Sequence, residues 1–243
     1  MGGNVRFYRI WAPLALALSL AACASTPEIP YDHTAAGVHT IGVLTPGFPS
    51  GATVFLASDV GQSFGLIGAA IDAGIQANRE SRLGDALTSQ RFVASATFWN
   101  GLAGTLAQRG YTVVPVFAPQ NRSDFVKQMP PSPSPVDAYL DIVVKDYGYM
   151  AAGIGGSNPY RPFLVVQCKL VRASDSSTLM EDQIELNPLS TGGWGSKKDI
   201  TLSPDPAYAF PGIEDLTNDP KKAADGLGSA FAQTNATIGT LLK

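Results

Sequence analysis

The feature that most constrains this chain is a run of alternating segments in its second half. In "VDAYLDIVVKDYGY", Ala138, Leu140, Ile142 and Val144 fall on one side and Tyr139, Asp141, Val143 and Lys145 on the other. A period of two marks a strand with one buried face. "RPFLVVQCKLVRAS" repeats the pattern through Leu164, Val166, Cys168 and Leu170. "TLMEDQIELN" follows across "DSS", a turn short and polar enough for a hairpin. The acids on and beside these strands, Asp137, Asp141, Asp146, Glu181, Asp182 and Glu185, are expected mostly on the outward side. An antiparallel meander of this kind needs a second layer over its apolar face.

The rest of the chain offers that layer. "VHTIGVLTP" reads as a first strand, stopped by Pro46-Gly47, and "TVFLAS" as a short second one. Between Arg91 and Arg109, Phe92, Ala96, Trp99, Leu102, Ala103 and Leu106 recur at three and four residues, which predicts a helix closed by Gly110. "YTVVPV" is the next strand, expected parallel to the first because a helical crossover separates them. "PPSPSP" is a stiff loop. Near the carboxy terminus, Asp219 and Pro220 open a helix whose stripe is Ala224, Leu227, Phe231, Thr234, Ile238 and Leu241. The expectation is one mixed α/β domain over residues 38–243. A strand-helix-strand unit leads into an antiparallel meander, and the carboxy-terminal helix packs on the sheet.

The amino terminus speaks of location. Arg6 and Arg9 precede the apolar run "IWAPLALALSLAA", too short for an ordinary membrane span. The run ends in Leu20-Ala21-Ala22-Cys23, a complete match to the bacterial lipobox. The expectation is a signal peptide over 1–22, lipidation at Cys23, and a proline-broken tether over 23–37. A multi-chain anchor of that kind holds essentially permanently. Ala24 rather than Asp at the second mature position favours the outer membrane over the inner. Removal of residues 1–22 takes away Arg6 and Arg9 and no acid, so the net charge of -3 becomes -5. An acidic chain with no basic run beyond Lys197-Lys198 and Lys221-Lys222 excludes a general attraction to nucleic acid. With 45% hydrophobic and 15% charged residues the chain is globular rather than disordered.

Candidate chemistry is sparse. "GQSFG", Gly61 to Gly65, spells the nucleophile elbow of a serine hydrolase, but both histidines, His33 and His39, precede Ser63. An α/β-hydrolase needs its histidine after the serine, and no base follows it here. The glycines fit better a small-residue spacing, Gly61, Gly65, Ala69, Ala73 and Ala70, Gly74, that lets helices approach closely. Two histidines and one unlipidated cysteine, Cys168, cannot form a dedicated zinc site. Cys168 reads as a core residue. "GIGG", Gly153 to Gly156, lacks the ending of a phosphate loop. No enzyme activity, cofactor or metal is expected.

The lipobox, "IGVLTP", "LAQRGYTVVPV", "VDAYLDIVVKDYGY" and the hairpin "PFLVVQCKLVRASDSSTLMEDQIEL" together resemble a loose group of proteobacterial envelope lipoproteins. Their domain is similar to the amino-terminal domain of TolB, and penicillin-binding-protein activators and curli-secretion lipoproteins share it. The resemblance implies a periplasmic protein anchored to the outer membrane that binds or scaffolds an envelope protein partner. The alternative it leaves open is a subunit of an oligomeric export or secretion assembly, with Phe64 to Ala77 in self-association. Oligomeric state and the role of Gly61 to Gly74 stay open.

Overall fold

The computed structural model describes residues 28–57, 65–152, 158–188 and 199–243. In chain order the elements are α1 (His33–Ala36), β1 (Thr40–Leu44), β2 (Thr53–Ala57), α2 (Gly65–Ser89), α3 (Ala94–Gln108) and β3 (Thr112–Val116). They continue with β4 (Ala138–Ala152), β5 (Arg161–Arg172), β6 (Thr178–Leu186), β7 (Ile200–Leu202), α4 (Ile213–Asn218) and α5 (Pro220–Leu241). The fold is mixed α/β, as the sequence predicts. A seven-stranded sheet runs β3-β1-β4-β5-β6-β7, and β2 pairs with the far half of β4.

The parallel and antiparallel halves meet at β4. β1 lies parallel to β3, with Thr40 opposite Thr112 and Leu44 opposite Val116. It is also parallel to the start of β4, with Ile41 opposite Ala138. β2 takes over the same side of β4 from Gly148 to Ala152. The pairing with β5 shifts between Val144 and Asp146, so Lys145 is a bulge. Gly148 makes the hand-over feasible: its φ is +154°, and a Cβ there would collide with the Thr53 carbonyl. The β5–β6 hairpin forms as expected, with Leu164 opposite Leu186 and Leu170 opposite Met180.

The alternating faces are placed as the sequence predicts. Ala138, Leu140, Ile142, Leu164, Val166, Cys168 and Leu170 are fully buried under the helices. Phe231 on α5 is 1% exposed. Phe48, Phe92, Phe98 and Tyr147 surround it, with ring centroids 5.7–6.2 Å away. α5 starts as read, with Asp219 Oδ1 accepting from the Lys222 amide at 3.1 Å and Pro220 in the first turn. The Tyr149 hydroxyl donates to the Ala223 carbonyl at 2.9 Å, pinning the helix to β4. Its buried face is wider than the predicted stripe. Ala223, Gly226, Ala230 and Asn235 join it, while Ala224 and Leu241 are its half-buried margins.

Three expectations need correction. α3 begins at Ala94, not Arg91. Arg91 and Phe92 instead end α2 in a Schellman turn, with Arg91 at φ +53°. The Phe92 amide donates to the Leu87 carbonyl at 3.0 Å and the Arg91 amide to Thr88 at 2.9 Å. The buried stripe of α3 is accordingly Phe98, Leu102 and Leu106. Ala96 is exposed and Trp99 half-buried.

The acids are the second correction. Asp141, Glu181, Asp182 and Glu185 are 0–7% exposed, not outward in solvent. Residues 117–129 fold across the second face at β4 and β5 and cover Asp141, whereas Asp182 lies opposite Cys168 on the helix-covered face. Arg122 Nη2 meets Asp141 Oδ1 at 2.6 Å, Asp141 Oδ2 accepts from the Val126 amide at 2.8 Å, and Phe125 lies 5.5 Å from Lys169 Nζ. Of the group, Asp137 does stay exposed; it accepts from the His39 and Thr40 amides at 2.9 and 2.8 Å and fixes the start of β1. The third concerns the segment before β1. From Ile29 onward it is docked, because Ile29 exchanges two backbone bonds with Glu181 on β6, 2.8 and 3.1 Å. Asp32 then caps α1.

β3 forms one edge of the sheet. The Thr112 amide bonds the His39 carbonyl, and the Val116 carbonyl accepts from Thr45, so even-numbered residues face β1. Val113 and Pro115 face the open side, and proline offers no N–H there.

Candidate functional site

β1, β3 and the start of β4 run the same way, so their carboxyl ends lie together. The chain leaves β1 through Thr45–Ser50, enters α3 at Val93–Ser95, and leaves β3 through Phe117–Asn121. These three connections frame a groove at the place where open α/β sheets hold ligands. One lobe encloses about 490 Å³, lined by Thr45, Ser95, Trp99, Asn100, Phe117 and Gln120 among others. A second, of about 380 Å³, lies between Phe48, Phe92, Val93, Asn121 and Tyr147, and shares Ser95 and Gln120 with the first.

The chemistry of the lining is consistent. Phe117 is 83% exposed and Val93 57%. Trp99 completes an aromatic rim because Phe98, one residue earlier, takes the core position. Asn100, Gln120, Asn121, Ser95 and Thr45 supply uncharged donors and acceptors. Among the described residues, no carboxylate, histidine, lysine, arginine or thiol lines either lobe; Tyr147 is the one ionisable side chain there. The first turn of α3 has Val93 at its N-cap with no side-chain cap, so its amide ends are turned to the groove.

The floor is rigid. Arg122 Nη2 donates to the carbonyls of Thr45 and Ile142, both at 3.1 Å, and Nη1 to Asp124 at 3.1 Å. It thereby ties the loop after β1, the start of β4 and its own segment together. Asp141 holds this guanidinium from below as an ion pair rather than an aligned hydrogen bond. Burial raises its carboxyl above the ordinary range, against the pull of Arg122 and the Val126 amide.

The residues singled out from sequence do not converge here. Cys23, Ser63 and the glycines of "GIGG" lie outside the described residues, and Gly65 opens α2. His33 sits on α1 and His39 just before β1, at the amino ends of the strands, opposite the groove. Cys168 is fully buried, its Sγ 3.6 Å from the Asp182 carbonyl, and burial pushes its thiol far up. It is therefore an unreactive core residue. Among the described residues no cluster of three or more metal-ligating side chains exists, and no helix is long and apolar enough to cross a membrane. The groove residues were missed for definite reasons. Trp99 fits the helical stripe as well as Phe98 does, and Phe117 follows a strand without breaking its apolar run.

A second apolar pocket of about 390 Å³ opens on the other side of β4, between Phe55, Met150, Phe163, Val165 and Leu186. Lys145, Asp146 and Glu185 border it. Thr53 Oγ1 donates to Asp146 at 2.7 Å, and burial still raises the Asp146 carboxyl.

No protein-family model matches the chain, and no curated protein matches it. Among solved structures it is similar to a Xanthomonas campestris protein of the family described as DUF330. The TM-score is 0.41 at 11% identity, over 83% of this chain and 81% of that one. It is also similar to a PelC dodecamer variant from Paraburkholderia phytofirmans, with a TM-score of 0.31 at 12% identity, over 90% and 96% of the two chains. A second PelC dodecamer from that organism gives a TM-score of 0.30 at 11% identity, over 84% and 97%. At these TM-scores none of the three likenesses establishes a fold or a function for this chain.

Proposed function

We propose that this is a lipid-anchored component of the bacterial envelope that acts by binding a protein partner in the groove between β1, α3 and β3. The lipobox ending at Cys23 supports the anchor. The observation that carries the binding role is the groove's lining: an exposed aromatic rim with amide and hydroxyl side chains, and no carboxylate, imidazole, ammonium or thiol among the described lining residues. An exposed ring such as Phe117 beside a half-buried Trp99 is the composition of an interface centre. The outer membrane is the proposed site, and no catalysis is assigned.

Two experiments test the two parts. Cys23→Ser should abolish incorporation of a clickable palmitate analogue, and normal labelling of that variant would remove the anchor from the proposal. A photo-crosslinking amino acid placed at Phe117 should capture one discrete envelope protein in intact cells, and Trp99→Ala should abolish the capture without changing the melting temperature by more than a few degrees. Capture unaffected by Trp99→Ala, or none at all, would remove the groove from the proposal. Reaction of Ser63 with a fluorophosphonate probe would overturn the assignment as a binding protein.

A further inference from the structure

The two features that the proposed anchor and the groove occupy are placed on opposite edges of the sheet, and the chain between Cys23 and Ile29 is short. Cys23 is six residues before Ile29. Fully extended, six peptide steps span at most about 22 Å. Ile29 is fixed on β6 by its two bonds to Glu181. The pairing is antiparallel, so the chain reaches Ile29 from the Leu186 end of β6. There β7 already occupies the edge, pairing Ile184–Leu186 with Ile200–Leu202. The incoming chain must therefore approach from outside the β6–β7 edge.

β3 lies four strands from β6 and five from β7. At 4.8 Å per strand that is about 19 and 24 Å. A lipid at Cys23 could reach the β3 side only with its chain fully stretched across a face that the helices or residues 117–129 already cover.

Resting on the lipid-anchor reading above, we propose that the β6–β7 edge is the surface that lies against the bilayer, and that the groove at β3 faces away from it. The partner of this edge is a lipid surface, held there by tether length rather than by charge. Glu28, Asp182, Glu185 and Asp199 gather near this edge, so its described residues offer anionic headgroups no attraction.

The test uses the full-length lipidated protein in phosphatidylcholine vesicles that carry nitroxide-headgroup lipid. Single cysteines are introduced at Thr201 on β7 and Thr112 on β3, both exposed, and labelled with a fluorophore. The lipidated Cys23 and the buried, unreactive Cys168 do not take the label. Quenching at Thr201→Cys should exceed that at Thr112→Cys several-fold. Insertion of twelve Gly/Ser residues between Thr26 and Pro27 should erase most of the difference. Replacing a quarter of the lipid with phosphatidylglycerol should leave it unchanged. Equal quenching, stronger quenching at Thr112, or a difference that survives the insertion overturns the orientation. Vesicle flotation and palmitate labelling of the same samples separate this from failure of the anchor: protein that floats and labels yet shows equal quenching refutes the orientation alone, whereas protein that does neither refutes the anchor and the orientation with it.

Discussion

The two faces of the sheet are both buried, but by different means. Toward α3 and α5 the cover is apolar: four aromatic rings meet around Phe231, and Leu102, Leu106, Leu227 and Ile238 extend the contact. Toward residues 117–129 the cover is one irregular segment, and the buried groups include charges. Arg122 and Asp141, Lys169 and Glu181 at 2.8 Å, and Gln167 with Gln183 at 3.0 Å stand where leucines would stand on the other side. A face covered by helices is held by area removed from water. A face covered by a loop must also satisfy the loop's own backbone, and polar side chains do that. Arg122 accordingly spends its donors on three carbonyls.

The comparison can be broken at its apolar side first. Phe231→Ala should destabilise the domain by about 3–5 kcal/mol, through lost burial and a cavity among four rings. Thermal unfolding measures it, and a change under about 1 kcal/mol would mean the ring cluster is not the core. On the polar side, Asp141→Ala should cost about 3 kcal/mol, because it strands the Arg122 guanidinium and the Val126 amide. The pair Arg122→Met with Asp141→Leu should recover most of that loss in a denaturant titration, whereas Phe231→Ala has no such partner. If the double variant is no better than Asp141→Ala, the ion pair is not what holds this segment.

A smaller effect sits at the margin of the sheet. Burial, with Glu28 nearby, raises the Asp182 carboxyl from 3.8 to about 6. The folded state thus holds the proton more tightly than the unfolded chain. Its stabilisation is complete below about pH 4 and is lost as pH rises through 6. Asp182→Asn should therefore raise the melting temperature at neutral pH, by the equivalent of about 1 kcal/mol once solvent screening is allowed for. It should make no difference at pH 4, and a gain that persists there would exclude titration as its source. Smallest of all, Arg91→Gly should stabilise by about 0.5–1 kcal/mol, since glycine adopts the left-handed turn after α2 without strain. Loss of stability in that variant would show that the Arg91 side chain contributes more than its backbone costs.

What was legible in the sequence follows the same division. Faces buried under helices left a period of two on β4 and β5 and a stripe on α5, and Phe231 and Cys168 could be placed from it. The acids could not, because alternation tells which residues share a face and not whether a loop will cover that face. Asp141 looks like a solvated position until Arg122 and its segment are folded over it. The groove was hidden for a local reason. Arg91 carries a Schellman turn that glycine usually carries, so the start of α3 was read three residues early and Trp99 was counted as core. The short elements β7 and α4 left no periodic signal at all, since three strand residues and six helical ones are too few to show one.

Pro115 has a consequence for a crowded surface. Of the two residues on β3 whose backbone faces outward, one has no hydrogen to give. A strand from a neighbouring molecule that tried to extend the sheet would find one of the two outward N–H donors missing and a ring in its way. If the proposed anchor holds, molecules on one membrane would meet each other far more often than in solution, and an open sheet edge is the place where such meetings turn into fibres. A proline at that edge lets the rim beside it keep an exposed ring such as Phe117 while the backbone next to it resists strand addition.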